Sequence, residues 1–432
     1  MRIGMVSATY DPSVINGAVR MVALYKQRLE AMGHEVTIFT LGDDQDGDRA
    51  AGIVRSPGFR LGDHGYFVGL RYSREAQMLL TEMEVVHCHH LLMSVEMAHR
   101  YARCPIVYTN HTRYDLYTGA YTPLPQPAAD AIMRQLWPEF AGLADTVIAP
   151  SGSVRQLLLD FGVREPIVVI ENGIELEPFL HPRHPHTRAD FDVPADAFLL
   201  VYIGRLSSEK NVPGLLEQVA RARQVAPEIR LALFGQGPQE AELRARVTEL
   251  GLNDCVRFMG VVPFDEVSDW LAAADAFVTA STSEVHPLTV IEAMAAGLPI
   301  AAVQSPGIVD CVESGVTGFM PTEGEGLDSA IVALAANPAR ARAMGEAARA
   351  ASRRFDIGRT VDLTVELYES LLATRPDLRR DDPHGLWSRR TEKWAGLLDQ
   401  LAHIIRPTDE GEEGARRWWP SSTPAAQEEQ DE

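Results

Sequence analysis

The chain has 432 residues, of which 46% are hydrophobic and 23% charged, and a formal net charge of −20. That length accommodates two domains with separate cores, and the composition is ordinary for a soluble globular protein. The acidic balance excludes nucleic acid as a partner, since a phosphate backbone needs a basic footprint, and no run of about 18 apolar residues is available to cross a membrane. The opening MRIGMVSATY reads as a strand rather than a signal peptide. Cysteines at 88, 104, 255 and 311 have no paired spacing and read as buried thiols of a reducing cytoplasm.

Residues 2–7 form the first predicted strand, followed by ATYDPSVINGAVR and a helical stretch to Met32. Strand, glycine-containing loop and helix make the first half of a Rossmann-like unit. Gly17 either lets the backbone approach a ligand closely or simply turns the chain into the helix. Further strands are expected at 35–40, 84–87, 105–110, 146–149 and 167–170, with a helix at about 128–141. The cluster HCHH at 87–90 invites a metal reading. Adjacent strand residues face opposite ways, however, and nothing completes a tetrahedral set at zinc spacing, so no metal is expected. His111 follows the 105–110 strand, where open α/β sheets bind ligands, although it also suits an ordinary polar loop. Tyr114, Tyr117 and Tyr121 come next. Their rings and hydroxyls suit an acceptor, or pack a loop. Glu171-Asn172-Gly173 is a turn signal, and four prolines mark residues 176–197 as a linker.

Alternation then resumes, with strands expected at 198–203, 229–234, 255–258, 275–278 and 299–302 and helices between them, the pattern of a doubly wound α/β domain. GRLSSEKN, Gly204 to Asn211, sits at the first strand-to-helix junction, where a diphosphate would lie. Arg205 offers a planar fork there and Lys210 a point charge. In STSEVHPLTVIEAMAAGLP, Ser281 to Pro299, Glu284 precedes a helix and Glu292 lies inside it. Pro287 is expected at the first helical position, which leaves the amides of Leu288 and Thr289 as an anion site at the positive end of the helix. A carboxylate on either side suits sugar hydroxyls, so the stretch fits a nucleotide sugar. Taken alone, two such glutamates would be surface residues; Arg205 and Lys210 are what argue otherwise. Phe355-Asp356 precedes a helix to about Ala373. Beyond it, residues 387–405 carry a helical apolar stripe, with Trp387, Trp394, Trp418 and Trp419 beside arginines. That combination suits either a membrane interface or a docked helix before an acidic tail.

Glu284-x7-Glu292, Gly204-Arg205-x4-Lys210 and Tyr10-x-Pro12…Asn16-Gly17 together resemble the retaining glycosyltransferases of family four, over roughly residues 1–375. The resemblance implies the GT-B architecture, an α/β fold of two Rossmann-like doubly wound parallel-sheet domains facing a cleft. The implied acceptor-side domain is 1–175 and the nucleotide-sugar domain 198–356. Residues 357–374 are expected as a helix crossing back to the first domain; 375–432 exceed the family pattern and are expected, from their own residues, as an amphipathic helix with an acidic, disordered tail. The same resemblance implies donor contacts at Gly17, Gly204, Leu288, Thr289 and Glu292, the last on the ribose. It implies catalytic roles for Arg205, Lys210, Glu284 and His111, with His111 beside the donor sugar. A His near the 84–87 strand end, His89 or His90, is expected to line the cleft or to cap a helix. Many family members carry two glycines where this chain has only Gly17.

His111-Thr112-x-Tyr114-x-x-Tyr117 resembles bacterial diacylglycerol and glycolipid glucosyltransferases of that family. That likeness implies acceptor binding by Tyr114, Tyr117 and Tyr121. It also implies a lipid acceptor, reached from the cytoplasm by peripheral membrane contact. The donor is expected to be UDP- or GDP-linked, with no cofactor and no metal, because the cations are protein-borne and no DxD-like carboxylate pair ends a strand. The alternatives are a soluble sugar, polyol or metabolite acceptor, a nucleotide-sugar epimerase, and a non-catalytic nucleotide-sugar-binding protein.

Overall fold

The computed structural model describes residues 1–374 apart from 12–15, 62–65, 70, 117–125, 165 and 323. Tyr117, Tyr121 and the expected extension at 375–432 therefore lie outside the described residues. Short, continuously apolar runs become strands because parallel strands covered by helices on both faces bury every side chain. In the first sheet these are β1 (Arg2–Val6), β2 (Glu35–Leu41), β3 (Ile53–Ser56), β6 (Val85–Cys88), β7 (Ile106–Thr109), β8 (Thr146–Ala149) and β9 (Ile167–Val169). All pairs are parallel, in the order β3-β2-β1-β6-β7-β8-β9. An antiparallel pair, β4 (Phe59–Leu61) and β5 (Tyr66–Val68), follows β3.

The second sheet holds β10 (Phe198–Ile203), β11 (Ile229–Phe234), β12 (Val256–Gly260), β13 (Ala276–Thr279), β14 (Ile300–Ala302) and β15 (Gly318–Phe319). It is also wholly parallel, in the order β12-β11-β10-β13-β14-β15. The eleven strands expected from sequence agree with these to within two residues; β3, β4, β5 and β15 were not anticipated.

Each sheet reverses its direction of growth once, between β1 and β6 in the first and between β10 and β13 in the second. In open α/β sheets the loops leaving such a switch point open a crevice for ligands. The loops at issue are those after β1, β6, β10 and β13, and they carry Gly17, His89 and His90, Gly204 to Lys210, and Glu284.

The linker is more ordered than its prolines suggest. It contains a helical turn at Glu177–Leu180 and a 3-10 turn at Arg188–Phe191, anchored by buried Phe179 and Phe191. The last described helix, Ile357–Thr374, returns to the first sheet. Its Tyr368 hydroxyl lies 2.6 Å from His87 Nδ1, and its Thr364 Oγ1 lies 3.1 Å from the Tyr25 hydroxyl. Both sheets fall in one compact unit of the chain. The four cysteines are buried, and no described helix is long and apolar enough to cross a membrane.

Candidate active site

The two switch points face a common cavity of about 180 Å3. Gly17, His111, Gly204, Arg205, Lys210, Glu284, Leu288 and Thr289 all border it, so eight of the twelve residues singled out from sequence come together. They come from four separate stretches of chain.

Asn16 caps the first helix, Gly17–Ala31, by accepting from the Ala18 amide at 2.9 Å. This holds Gly17 at the cavity wall. Beyond its own chain neighbours, a methyl built on Gly17 would touch no atom of the described residues within 4 Å. A side chain there would take up open cavity rather than packing space.

β10 ends at Ile203, and the chain passes through Gly204 and Arg205 into a 3-10 turn, Ser208–Lys210. Asn211 takes the left-handed conformation (φ 51°) that Asn tolerates better than most residues, and starts the next helix, Val212–Val225. The turn aims Lys210 across the cavity. Its Nζ donates to Glu284 Oε1 at 2.8 Å, and both side chains are largely buried. Burial acts to raise the Glu284 pKa, but the Lys210 charge and the hydrogen bonds from Lys210 and Ser281 outweigh it and hold the carboxyl below its usual range. Arg205 Nε lies 3.8 Å from Glu209 Oε1, which also accepts from Ser207 Oγ at 2.7 Å.

The helix after Glu284 runs Leu288–Ala295, and Pro287 is its N-cap in extended conformation rather than its first helical residue. Proline gives no side-chain cap, so the first-turn amides of Leu288 and Thr289 are left to meet what enters the cavity. Glu292 departs from the expected picture. It is 1% exposed, does not border the cavity, and makes an ion pair with Arg20 of the Gly17–Ala31 helix. Its pKa is raised, because burial exceeds what Arg20 returns. Arg20 Cζ also sits 4.5 Å from the ring centre of Phe264.

From the first sheet, His111 follows β7 and borders the cavity. His89 Nδ1 lies 3.0 Å from His111 Nε2, with the two rings 11° from coplanar. His90 reaches the cavity itself, with its Nδ1 3.2 Å from Ser7 Oγ. Burial pushes the pKa of His111 down to about 3 and that of His90 down to about 4, so both rings are neutral near pH 7. Tyr114 is not among the residues bordering the cavity. Its hydroxyl accepts from the Leu91 amide at 2.9 Å, and its ring meets Trp137 edge-on at 5.8 Å.

Sequence reasoning did not find Arg20, Asn172 or Asp310, all of which join the two domains. Asn172 Nδ2 donates to the His286 carbonyl at 3.0 Å. Asp310 Oδ2 accepts from Ser153 Oγ at 2.5 Å and from the Ser153 amide at 3.0 Å. Arg20 stands three residues after Gly17, and that spacing is its one signal in the sequence.

Two facing Rossmann-like domains with a cationic, carboxylate-flanked crevice at their switch points define a GT-B sugar transferase. Residues 15–178 match the model of Glycosyltransferase Family 4, and residues 185–351 that of Glycosyl transferases group 1. An alpha-monoglucosyldiacylglycerol synthase of Streptococcus pneumoniae is 30% identical over 78% of this chain and 79% of its own length. A D-inositol 3-phosphate glycosyltransferase of Kribbella flavida is 27% identical over 67% of this chain and 72% of its own. Anabaena HepE, solved with UDP-glucose, superposes with a TM-score of 0.68 at 22% identity, covering 86% of this chain and all of that one. The chain belongs to glycosyltransferase family four and is an enzyme that moves sugar from a nucleotide sugar.

Proposed function

We propose that the protein transfers a hexose, with retention at the anomeric carbon and without a metal ion, to the hydroxyl of a lipid such as diacylglycerol. The observation that carries the reading is the Lys210–Glu284 pair, which shares one cavity wall with Arg205 and the 288–289 helix start. The hard step is departure of the nucleoside diphosphate from an oxocarbenium-like sugar. Preorganised donors aimed at the leaving charge are the most effective way to lower that barrier. Arg205, Lys210 and the amides of Leu288 and Thr289 form that field from the protein itself, and this is the ground for proposing metal and cofactor independence. Glu284, held ionised, accepts from sugar hydroxyls; neutral His111 and Gly17 meet the donor from the other domain. Glu292 takes the ribose hydroxyls once Arg20 yields.

A cavity of about 180 Å3 is smaller than the ~300–1,000 Å3 typical of ligand pockets, so donor entry requires the domains to part and then close again. Closure excludes the water that would otherwise hydrolyse the donor.

The lipid acceptor is supported by the glucosyldiacylglycerol synthase likeness across most of the chain, with Tyr117 and Tyr121 proposed as acceptor contacts at the inner face of the membrane. The inositol phosphate relative supports a second reading, in which the same donor site serves a soluble polyol. Release of UDP or GDP from a panel of nucleotide sugars separates the two. Release that depends on diacylglycerol micelles supports the lipid, and release that responds only to a soluble polyol or sugar supports the alternative. No release with any donor and acceptor would leave a binding protein. The anomeric configuration of the product, read by NMR, tests retention.

A further inference from the structure

His89 belongs to no motif of the donor site and has no access to solvent. Its Nδ1 lies 3.0 Å from Nε2 of His111, and the near-coplanar rings are in the geometry of an in-plane hydrogen bond. One of these nitrogens donates and the other accepts. His89 Nε2 is also buried and has no hydrogen-bond partner among the described residues. If His111 donated, a neutral His89 would carry its proton on Nε2 and bury an orphan N–H, which proteins rarely tolerate. If His89 donates, the orphan is only a lone pair. His89 cannot escape the choice by taking a second proton, since burial and the neighbouring rings of His87, His111 and His90 all disfavour the cation.

We infer that His89 is a positioning residue: its Nδ1–H donates to His111 Nε2 and so fixes His111 as the tautomer protonated on Nδ1. His111 borders the cavity, and with Nε2 engaged, Nδ1 is the nitrogen left for a ligand. His111 therefore presents a permanent, neutral N–H donor to an oxygen of the bound sugar and does not accept a proton from it. His87 packs on His89 with ring centres 4.2 Å apart, and is itself held by Thr109 Oγ1 and the Tyr368 hydroxyl, each at 2.6 Å.

The consequence for catalysis rests on the transferase reading above, whereas the tautomer does not. The first test is a long-range 1H–15N correlation on the full-length wild-type protein labelled with 15N-histidine, with His111→Ala identifying the His111 signals. The expected pattern has Nδ1 protonated and Nε2 bare; a proton on His111 Nε2 would overturn the inference whether or not turnover is seen. The second test is kinetic. His89→Leu should lower kcat on the order of 10- to 100-fold, the scale seen when a histidine's orienting partner is removed, with donor KM little changed. His89→Asn, whose amide nitrogen replaces Nδ1–H, should recover most of the loss, and His89→Leu should add nothing to His111→Ala. A folded His89→Asn as slow as His89→Leu, or additive losses, would remove His89 from this role. Should His89→Leu not fold, the wild-type spectrum still decides. Wild-type protein with the expected tautomer but no turnover would count against the transferase reading alone.

Discussion

Arg20 of the first domain and Glu292 of the second are ion-paired across the cleft, with Glu292 1% exposed. The carboxylate assigned to the donor ribose is thus held by a cation from the opposite domain. The helix that starts at Gly17 and the one that starts at Leu288 are joined by this pair, which donor binding would separate under the proposed function.

Removing Arg20 strands a buried carboxylate, and breaking such a pair from one side is far more costly than exchanging both partners. Arg20→Ala should lower stability by about 3 kcal/mol in urea unfolding. Adding Glu292→Gln should restore much of it. Equal stability of wild type and Arg20→Ala would show that the pair does not hold the domains.

Gly17 makes a different prediction, because none of the described residues occupies the space its side chain would fill. Gly17→Val should fold with near wild-type stability yet raise donor KM about tenfold or more, since small displacements of a bound substrate are costly. Unchanged KM would place the donor elsewhere.

Tyr114 separates loop packing from acceptor binding. Its hydroxyl satisfies the Leu91 amide and it does not border the cavity. Tyr114→Phe should cost about 1–2 kcal/mol of stability by orphaning that amide, and leave acceptor KM within about threefold. A large rise in acceptor KM with full stability would return Tyr114 to the acceptor.

Acid should destabilise the fold through its buried histidines. Burial pushes His87 and His286 down to about 3, His90 to about 4, and His89 well below its ordinary value. Unfolded, each titrates near 6.5. A depressed native pKa means the contribution is whole above 6.5 and is lost as pH falls, because the unfolded chain takes up protons the native one refuses. Each of the four can cost roughly 1.4 kcal/mol per pH unit below 6.5. The urea midpoint should be level from pH 8.5 to 7 and drop steeply between 6.5 and 5. A level midpoint across that range would mean these rings are solvated.

The sheets were legible because parallel strands buried on both faces leave unbroken apolar runs, as at 198–203 and 229–234. β15 has two residues and β3 includes Arg55, so neither carries such a signal. Arg55 is buried because Asp48 pairs with it at 2.6 Å, a contact outside any periodicity. Lys210 and Glu284 were each singled out by local chemistry, though not their pairing over 74 residues. Arg20 was missed because helical periodicity cannot show that a polar position faces another domain. The His89–His111 contact follows from β6 and β7 being neighbours in register, which is a property of the sheet order rather than of either segment.

The account depends most on Lys210. Nucleoside diphosphate release should be followed for wild type and Lys210→Ala side by side, with saturating nucleotide sugar and acceptor and with folding checked by circular dichroism. Loss of about 100- to 1,000-fold in kcat from a folded variant is the result expected of a donor that stabilises the departing diphosphate. A folded Lys210→Ala that turns over within a few-fold of wild type would contradict the assignment of this cleft as the site of transfer.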